Sequence, residues 1–238
     1  MRLTRPTERR LYQQVADQIR ALIHGGDLAV GDRLPGEREL ALQLGVSRPS
    51  LREALIALEI EGIVEVRMGS GVYVLPAPQG RRLHGTSAVG ESPLVLMGAR
   101  IAIEGAVVAL AVARFTDEAL QSLRDSLRQM RLDIEGGRNP IEHDRQFHIT
   151  IAGQTGNDAL RRIVTELFDE RHSPIFSRFR IRFESRATWT GALLEHEAIL
   201  AAIEARDALV AQAAMQLHLE QSRRRWLESE PPAPGEVA

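Results

Sequence analysis

Between Glu37 and Val74 the chain passes from a short helical pattern through a glycine break into a second helix and then an alternating hairpin, an order few folds accept. Glu37 to Leu44 has helical spacing and stops at Gly45. Ser47 stands where an N-cap belongs. The next helix runs from Arg48 to about Glu61, with Pro49 tolerable in its first turn and Leu51, Ala54, Leu55 and Leu58 on its buried stripe. Gly62 ends it, and Ile63-Val64-Glu65-Val66-Arg67 and Val72-Tyr73-Val74 alternate around Gly69-Ser70-Gly71 as a two-stranded hairpin. Upstream, Leu11, Val15, Ile19, Leu22 and Ile23 share one helical stripe that Gly25-Gly26 stops. Residues 1–75 are therefore expected to form a winged helix-turn-helix.

From Pro76 to Pro93 the chain is rich in Pro, Gly and Ser without an apolar period, as in a linker. Beyond it the pattern is helical: Leu94 to Phe115, Thr116 to Glu135, Pro140 to Ala152, Asn157 to about Phe183, Thr190 to Ala205 and Asp207 to Leu227. Thr116, Asn157 and Asp207 suit caps. Short connections between such helices predict an antiparallel all-α bundle over residues 94–229, with a disordered tail over 230–238. The fold class is mainly α, with the hairpin wing as its β element.

No cysteine is present, so disulfides and thiolate ligands are excluded and a metal site must use His, Asp or Glu. Met1 to Arg10 is too polar and Arg-rich for a signal peptide, and no apolar run reaches the length of a membrane span. A soluble, cytoplasmic protein is expected.

The formal net charge of -2 gives no global sign of a polyanion partner, so DNA binding has to rest on local placement of charge. Helix-turn-helix proteins put the N-terminal end of the second helix into the major groove. Ser47, Arg48, Ser50 and Arg52 occupy that end, Arg38 starts the preceding helix, and Gly69 at the wing tip lets backbone approach DNA. Alternatively, Arg48 and Arg52 form a solvated face paired with Glu53 or Glu59.

The stretch LPGERELALQLGVSRPSLREALIALEIEGIVEVRMGSGVYV closely resembles the DNA-binding domain of the GntR family. That resemblance implies operator contacts for Arg38, Ser47, Arg48, Ser50, Arg52 and Gly69, the positions groove geometry also selects. Pro49 departs from it, standing where a hydroxyl or other donor is frequent, which implies weaker or apolar readout there.

Asp144 and His148 are four apart on one helical face, at a separation a metal ion can bridge. His196 precedes the turn at Arg206-Asp207 by about ten residues and His218 follows it by about eleven, so in an antiparallel hairpin both stand roughly 15 Å from the turn. Three imidazoles and a carboxylate suit Zn, Ni or another borderline divalent ion. Read alone, Asp144 and His148 would ordinarily make a surface hydrogen bond, and His196 and His218 could equally be satisfied core histidines. Leu94 to Trp226 is similar to the helical effector domain of the FadR-type GntR subgroup, called FCD. In metal-binding members the ligands match Asp144, His148, His196 and His218, within HDRQFHITIA, LLEHEAILAAIEA and AMQLHLE. His143 and His172 have no such match and read as surface residues.

Arg100 and Glu104 form an Arg-x-x-x-Glu pair that would ordinarily be an intrahelical ion pair. The subgroup resemblance instead implies that Arg100 binds an effector carboxylate, which suits a planar guanidinium. LYQQVADQIRALI and LEIEGIVEVRMGSGVYV look most like the branch responding to hexuronates. The expectation is thus a homodimeric transcription regulator, not an enzyme, released from operator DNA by a small organic acid. Two rivals stand beside it: a metal-dependent hydrolase, for which no general base is evident in the sequence, and an architectural DNA-binding protein without effector.

Overall fold

The computed structural model describes residues 10–67, 69–76 and 89–228. Helices α1 (Leu11–Gly25), α2 (Glu37–Leu44) and α3 (Arg48–Ile60) precede strands β1 (Val64–Arg67) and β2 (Gly71–Val74). Val15, Ala16 and Ile19 of α1, Leu40 of α2, and Leu51, Leu55 and Leu58 of α3 form one interior. Shortening one of these leucines to Ala costs about 2–5 kcal/mol. Gly26 and Gly45 end their helices at positive φ, where a side chain would be strained.

The strands pair antiparallel with Val64 opposite Val74 and Arg67 opposite Gly71. Leu34 N–H donates to Val72 O and Val74 N–H to Asp32 O, which fastens the segment before α2 onto the wing.

Helices α4 (Pro93–Ala111), α5 (Asp117–Glu135), α6 (Ile141–Gly153), α7 (Asp158–Asp169), α8 (Pro174–Phe183), α9 (Arg186–Glu204) and α10 (Ala208–Glu228) follow. Thr116 and Asn157 cap α5 and α7 through their side chains, and Asp207 Oδ1 accepts from Leu209 and Val210 N–H at the start of α10. Between α9 and α10, Arg206 adopts φ 58, costly for a residue with a Cβ. Its guanidinium donates to Val112 O and Phe115 O, at 2.7 and 2.8 Å, and holds the turn.

Three expectations need correction. The helix expected from Asn157 to Phe183 is two helices, because a 3-10 turn at Glu170–His172 precedes Pro174, whose ring removes a donor and blocks the preceding turn. Helix α9 starts at Arg186 and not at Thr190. Ser185 Oγ accepts from Thr188 N–H while Thr188 Oγ1 accepts from Ser185 N–H, a capping box the apolar periodicity did not register. A run of membrane-span length does exist: the most apolar window within Pro93–Arg114 has a mean hydropathy of 2.0, with half of it buried in the fold. It carries Arg100 and Glu104, which neutralise each other inside it.

Two compact units emerge. The first holds the residues up to Pro93 together with Ser173–Arg182, and the second holds Leu94–His172 and Phe183–Ser229. Within the first, Ile175 N–H donates to Val89 O, Arg182 pairs with Glu59, and Ser92 Oγ bonds the buried Glu53 carboxylate at 2.8 Å. Most of the expected linker (77–88) and the expected tail (230–238) lie outside the described residues.

Candidate metal centre and nucleic-acid interface

The start of α3 is a built helix N-terminus. Ser47 Oγ accepts from Ser50 N–H at 3.2 Å and lies 2.8 Å from Ser50 Oγ. Arg38 and Arg48 are exposed, and exposed backbone N–H groups at such an end attract phosphate. Gly69 is exposed at φ 69, in the left-handed region that a side chain would strain. Arg52 differs. Only 6 % exposed, it reaches Glu37 Oε2 at 2.8 Å, bridging α3 to α2. Two further basic side chains border the wing, Arg33 and Arg67, the latter 4.5 Å over the Tyr73 ring. Flanking charge next to a glycine-tipped hairpin was their signal in the sequence.

In the second unit, Asp144, His148, His196 and His218 come together, with one ligand atom from each lying within 4.8 Å of the others. All four are buried. Helix α6 supplies Asp144 and His148 from one face. The α9–α10 turn brings His196 and His218 level, with ring centroids 4.2 Å apart.

Each imidazole is tethered through Nδ1. His148 Nδ1 meets Glu104 Oε2 at 2.5 Å, His196 Nδ1 meets Ala192 O at 2.6 Å, and His218 Nδ1 meets Glu195 Oε2 at 2.8 Å. All three partners are acceptors, so each Nδ1 carries the proton and each Nε2 presents a lone pair. Donors bound at roughly 2.0–2.2 Å to one ion lie no more than about 4.4 Å apart, so a slight contraction suffices. The donor set fits a divalent cation.

The electrostatics agree. Burial pushes the Asp144 carboxyl up, but Arg171, His196 and His148 outweigh it and hold Asp144 well below the usual range. Burial, with the charges of His196 and His148, keeps His218 well below an ordinary histidine. His148 is also lowered, chiefly by burial. Glu104 is held at about 2, because Arg100 and His148 overcome the cost of its burial. At neutral pH Asp144 is a carboxylate, and the rings of His148 and His218 are neutral.

Beside the cluster is a solvent-open cavity. Arg100 lines it, bonding Glu104 Oε1 through Nε at 2.6 Å, with its guanidinium 4.0 Å over the Phe168 ring. The ion pair considered for Arg100 and Glu104 therefore exists, and it leaves Arg100 Nη2 buried with no hydrogen-bond partner. An unmet charged donor of this kind costs about 1–3 kcal/mol or more, which an incoming anion would recover.

Arg171 was not singled out in the sequence. It reaches Asp144 Oδ2 at 2.5 Å, while Asp144 Oδ1 lies 3.1 Å from His196 Nε2. The interrupted helix that presents it was read as continuous, which hid its approach to α6. His143 and His172 stand apart from the cluster, each 3.5 Å from a carboxylate of Asp133 and Glu142 respectively.

Residues 11–74 match the family described as bacterial regulatory proteins, gntR family, and residues 96–221 match the FCD domain. The Exu regulon transcriptional regulator of Escherichia coli K12 is 36% identical over 229 residues, spanning 94% of this chain and 86% of its own. The Uxu operon regulator of Haemophilus influenzae is 30% identical, spanning 92% of this chain and 83% of its own. The solved E. coli McbR/YncC shares the fold at a TM-score of 0.50 and 24% identity, covering 90% of this chain and 95% of that one.

Proposed function

Since the chain belongs to the gntR family of bacterial regulatory proteins and carries an FCD domain, we propose that it is an operator-binding homodimer controlled by a small carboxylate effector. Arg38, Ser47, Arg48, Ser50 and Gly69 meet the DNA, with Arg52 supporting α3 from within the module or reaching a phosphate once DNA displaces Glu37. Two modules read a pseudo-palindrome, as helix-turn-helix dimers do.

The divalent ion, zinc first among the candidates, is held by Asp144, His148, His196 and His218. When bound it supplies positive charge and open coordination positions for effector oxygens. Arg100 binds the effector carboxylate, Glu104 orients both Arg100 and His148, and Arg171 fixes the Asp144 carboxylate. The effector is a hexuronate or related sugar acid, a reading supported by the kinship with Exu and Uxu regulators. The unmet Arg100 Nη2 beside the convergent imidazoles carries this reading.

Effector lowers operator affinity by favouring the arrangement that binds DNA less well. A hydrolytic reading is less favoured, because Glu104, the carboxylate beside His148, is engaged by Arg100 and too weak a base at a pKa of about 2. The test is fluorescence anisotropy on a duplex selected by the protein from random sequence, with glucuronate, galacturonate and a panel of other small acids. An effector should weaken binding about tenfold or more, a coupling of about 1.4 kcal/mol. If no acid changes operator affinity of zinc-loaded protein, the effector reading is wrong.

A further inference from the structure

Two chains of hydrogen bonds run from the cavity wall to the candidate metal ligands. In one, Arg100 Nε donates to Glu104 Oε1 and His148 Nδ1 donates to Glu104 Oε2, so guanidinium and imidazole take separate oxygens. In the other, Arg225 Nη1 donates to Glu195 Oε1 at 2.6 Å and Arg225 Nη2 to Glu195 Oε2 at 3.0 Å. His218 Nδ1 meets that same Oε2 at 2.8 Å. Arg100 and Arg225 line the cavity, and Glu104 and Glu195 do not. Each carboxylate is thus held between an arginine of the cavity wall and a ligand imidazole.

Helical spacing assembles the second chain. Glu195 directly precedes His196 on α9, so one dipeptide supplies a ligand and the tether of the facing ligand, His218 on α10. His218, Ser222 and Arg225 follow at steps of four and three residues, on one face of α10. Ser222 Oγ accepts from Arg225 Nη2 at 2.8 Å and orients the guanidinium. The side chains of Glu195 and Arg225 are 14 % and 23 % exposed, so water screens the pair only in part.

The shared oxygen gives Glu195 and Arg225 opposite effects on the metal site. A carboxylate that accepts from Nδ1–H fixes the tautomer and makes Nε2 a stronger donor to a metal. An arginine on the same oxygen draws charge out of that bond and places its own positive charge near the cation.

We propose that Glu195 is the positioning residue of His218 and that Arg225, acting through Glu195, restrains the affinity for the metal. Retention of the ion is then set from the cavity wall. This rests on the metal reading given above and adds to it the pair that tunes it.

The test is a zinc titration of chelated full-length protein in competition with a chromophoric chelator, with zinc alone as the probe. Glu195→Gln should weaken zinc binding about 10- to 100-fold. Glu195→Asp keeps the charge one methylene short and should fall between Glu195→Gln and the parent. Arg225→Gln should tighten zinc binding about threefold or more, and that gain should shrink below about twofold when Glu195→Gln is also present. A pair that merely holds the fold together would weaken zinc binding whichever partner is changed, so the opposite signs separate the two roles. Histidine-selective nitrogen-15 spectra of the chelated protein give a second readout: His218 should carry its proton on Nδ1 in the parent and shift toward the Nε2–H form in Glu195→Gln. If Glu195→Gln does not fold, Glu195→Asp and Arg225→Gln carry the comparison. Parent-like zinc affinity in the Glu195 variants overturns the proposal, as does weaker zinc binding in a folded Arg225→Gln. If the parent takes up no zinc, the metal reading falls and this proposal with it; if the parent binds zinc and the two substitutions do not act in opposite directions, only this proposal falls.

Discussion

The Nε2 atoms of His148 and His196 lie 3.1 Å apart, although the acceptors on each Nδ1 assign both Nε2 atoms a lone pair and no proton. Two lone pairs at hydrogen-bond distance repel unless a cation stands between them, and Asp144 Oδ1 lies 3.1 Å from one and 3.7 Å from the other. That arrangement fits a coordination sphere.

Purified protein is therefore expected to retain about one divalent ion per chain. A chelator should lower the melting temperature, since the ion binds only the folded state; a ligand at 100 times its dissociation constant stabilises by about 2.7 kcal/mol. His196→Ala and His218→Ala should lose the ion. Elemental analysis that finds the parent metal-free after incubation with zinc or nickel would sink this assignment.

For Arg100, the prediction is a loss of effector response with DNA binding kept. Arg100→Ala should abolish the melting shift caused by a sugar acid, while operator affinity without effector changes by less than about 0.5 kcal/mol. Arg100→Lys keeps the charge and loses the fork, so it should recover only part of the response. An undiminished response in Arg100→Ala would mean that the carboxylate is anchored by coordination alone.

Arg48 and Arg52 should separate when both operator affinity and melting are measured. Arg48 is exposed, so Arg48→Ala should cost about 1–3 kcal/mol of operator affinity at unchanged melting temperature. Arg52 is buried against Glu37, so Arg52→Ala should lower the melting temperature as well. Equal melting for the two variants would show that the Arg52–Glu37 pair adds nothing to the module.

Acid should destabilise the chelated protein from the upper side of the histidine range. His218, faced by His196, His148, Asp144, Arg100 and Glu195, is held well below its ordinary value, so the folded form stays neutral where the unfolded form takes up a proton near about 6.5. Below that pH the unfolded state binds more protons than the folded one, so stability is lost as pH falls. Glu104 and Asp144 act in the same direction at lower pH, below their unfolded values near about 4. Urea midpoints should drop between pH 7.5 and 5.5 in the chelated parent, and drop less in His218→Gln. A midpoint that rises on acidification contradicts buried neutral rings.

Much of the site was legible because helical geometry converts spacing into position. Asp144 and His148 share a face by a four-residue step, and counting outward from Arg206-Asp207 sets His196 and His218 level. Glycine stops and a hydroxyl cap likewise made α2, α3 and the hairpin readable. Arg52 was less so, because sequence position gives the face of a helix but not whether Glu37 draws a long side chain inward. Arg171 was hidden by reading through Pro174, and Ser185 by weighing apolar periodicity above capping chemistry. Long-range partners such as Arg182 and Glu59, or Arg225 and Glu195, leave no periodic trace at all.

Among the described residues the chain passes between the two compact units at three places, after Pro93, after His172 and after Arg182. Two of these places stand one or two residues from Arg171 and Glu184, which line the cavity and pair with each other at 3.4 Å. That one ion pair between residues 13 positions apart closes the excursion of chain that contains α8, as a clasp closes a cord.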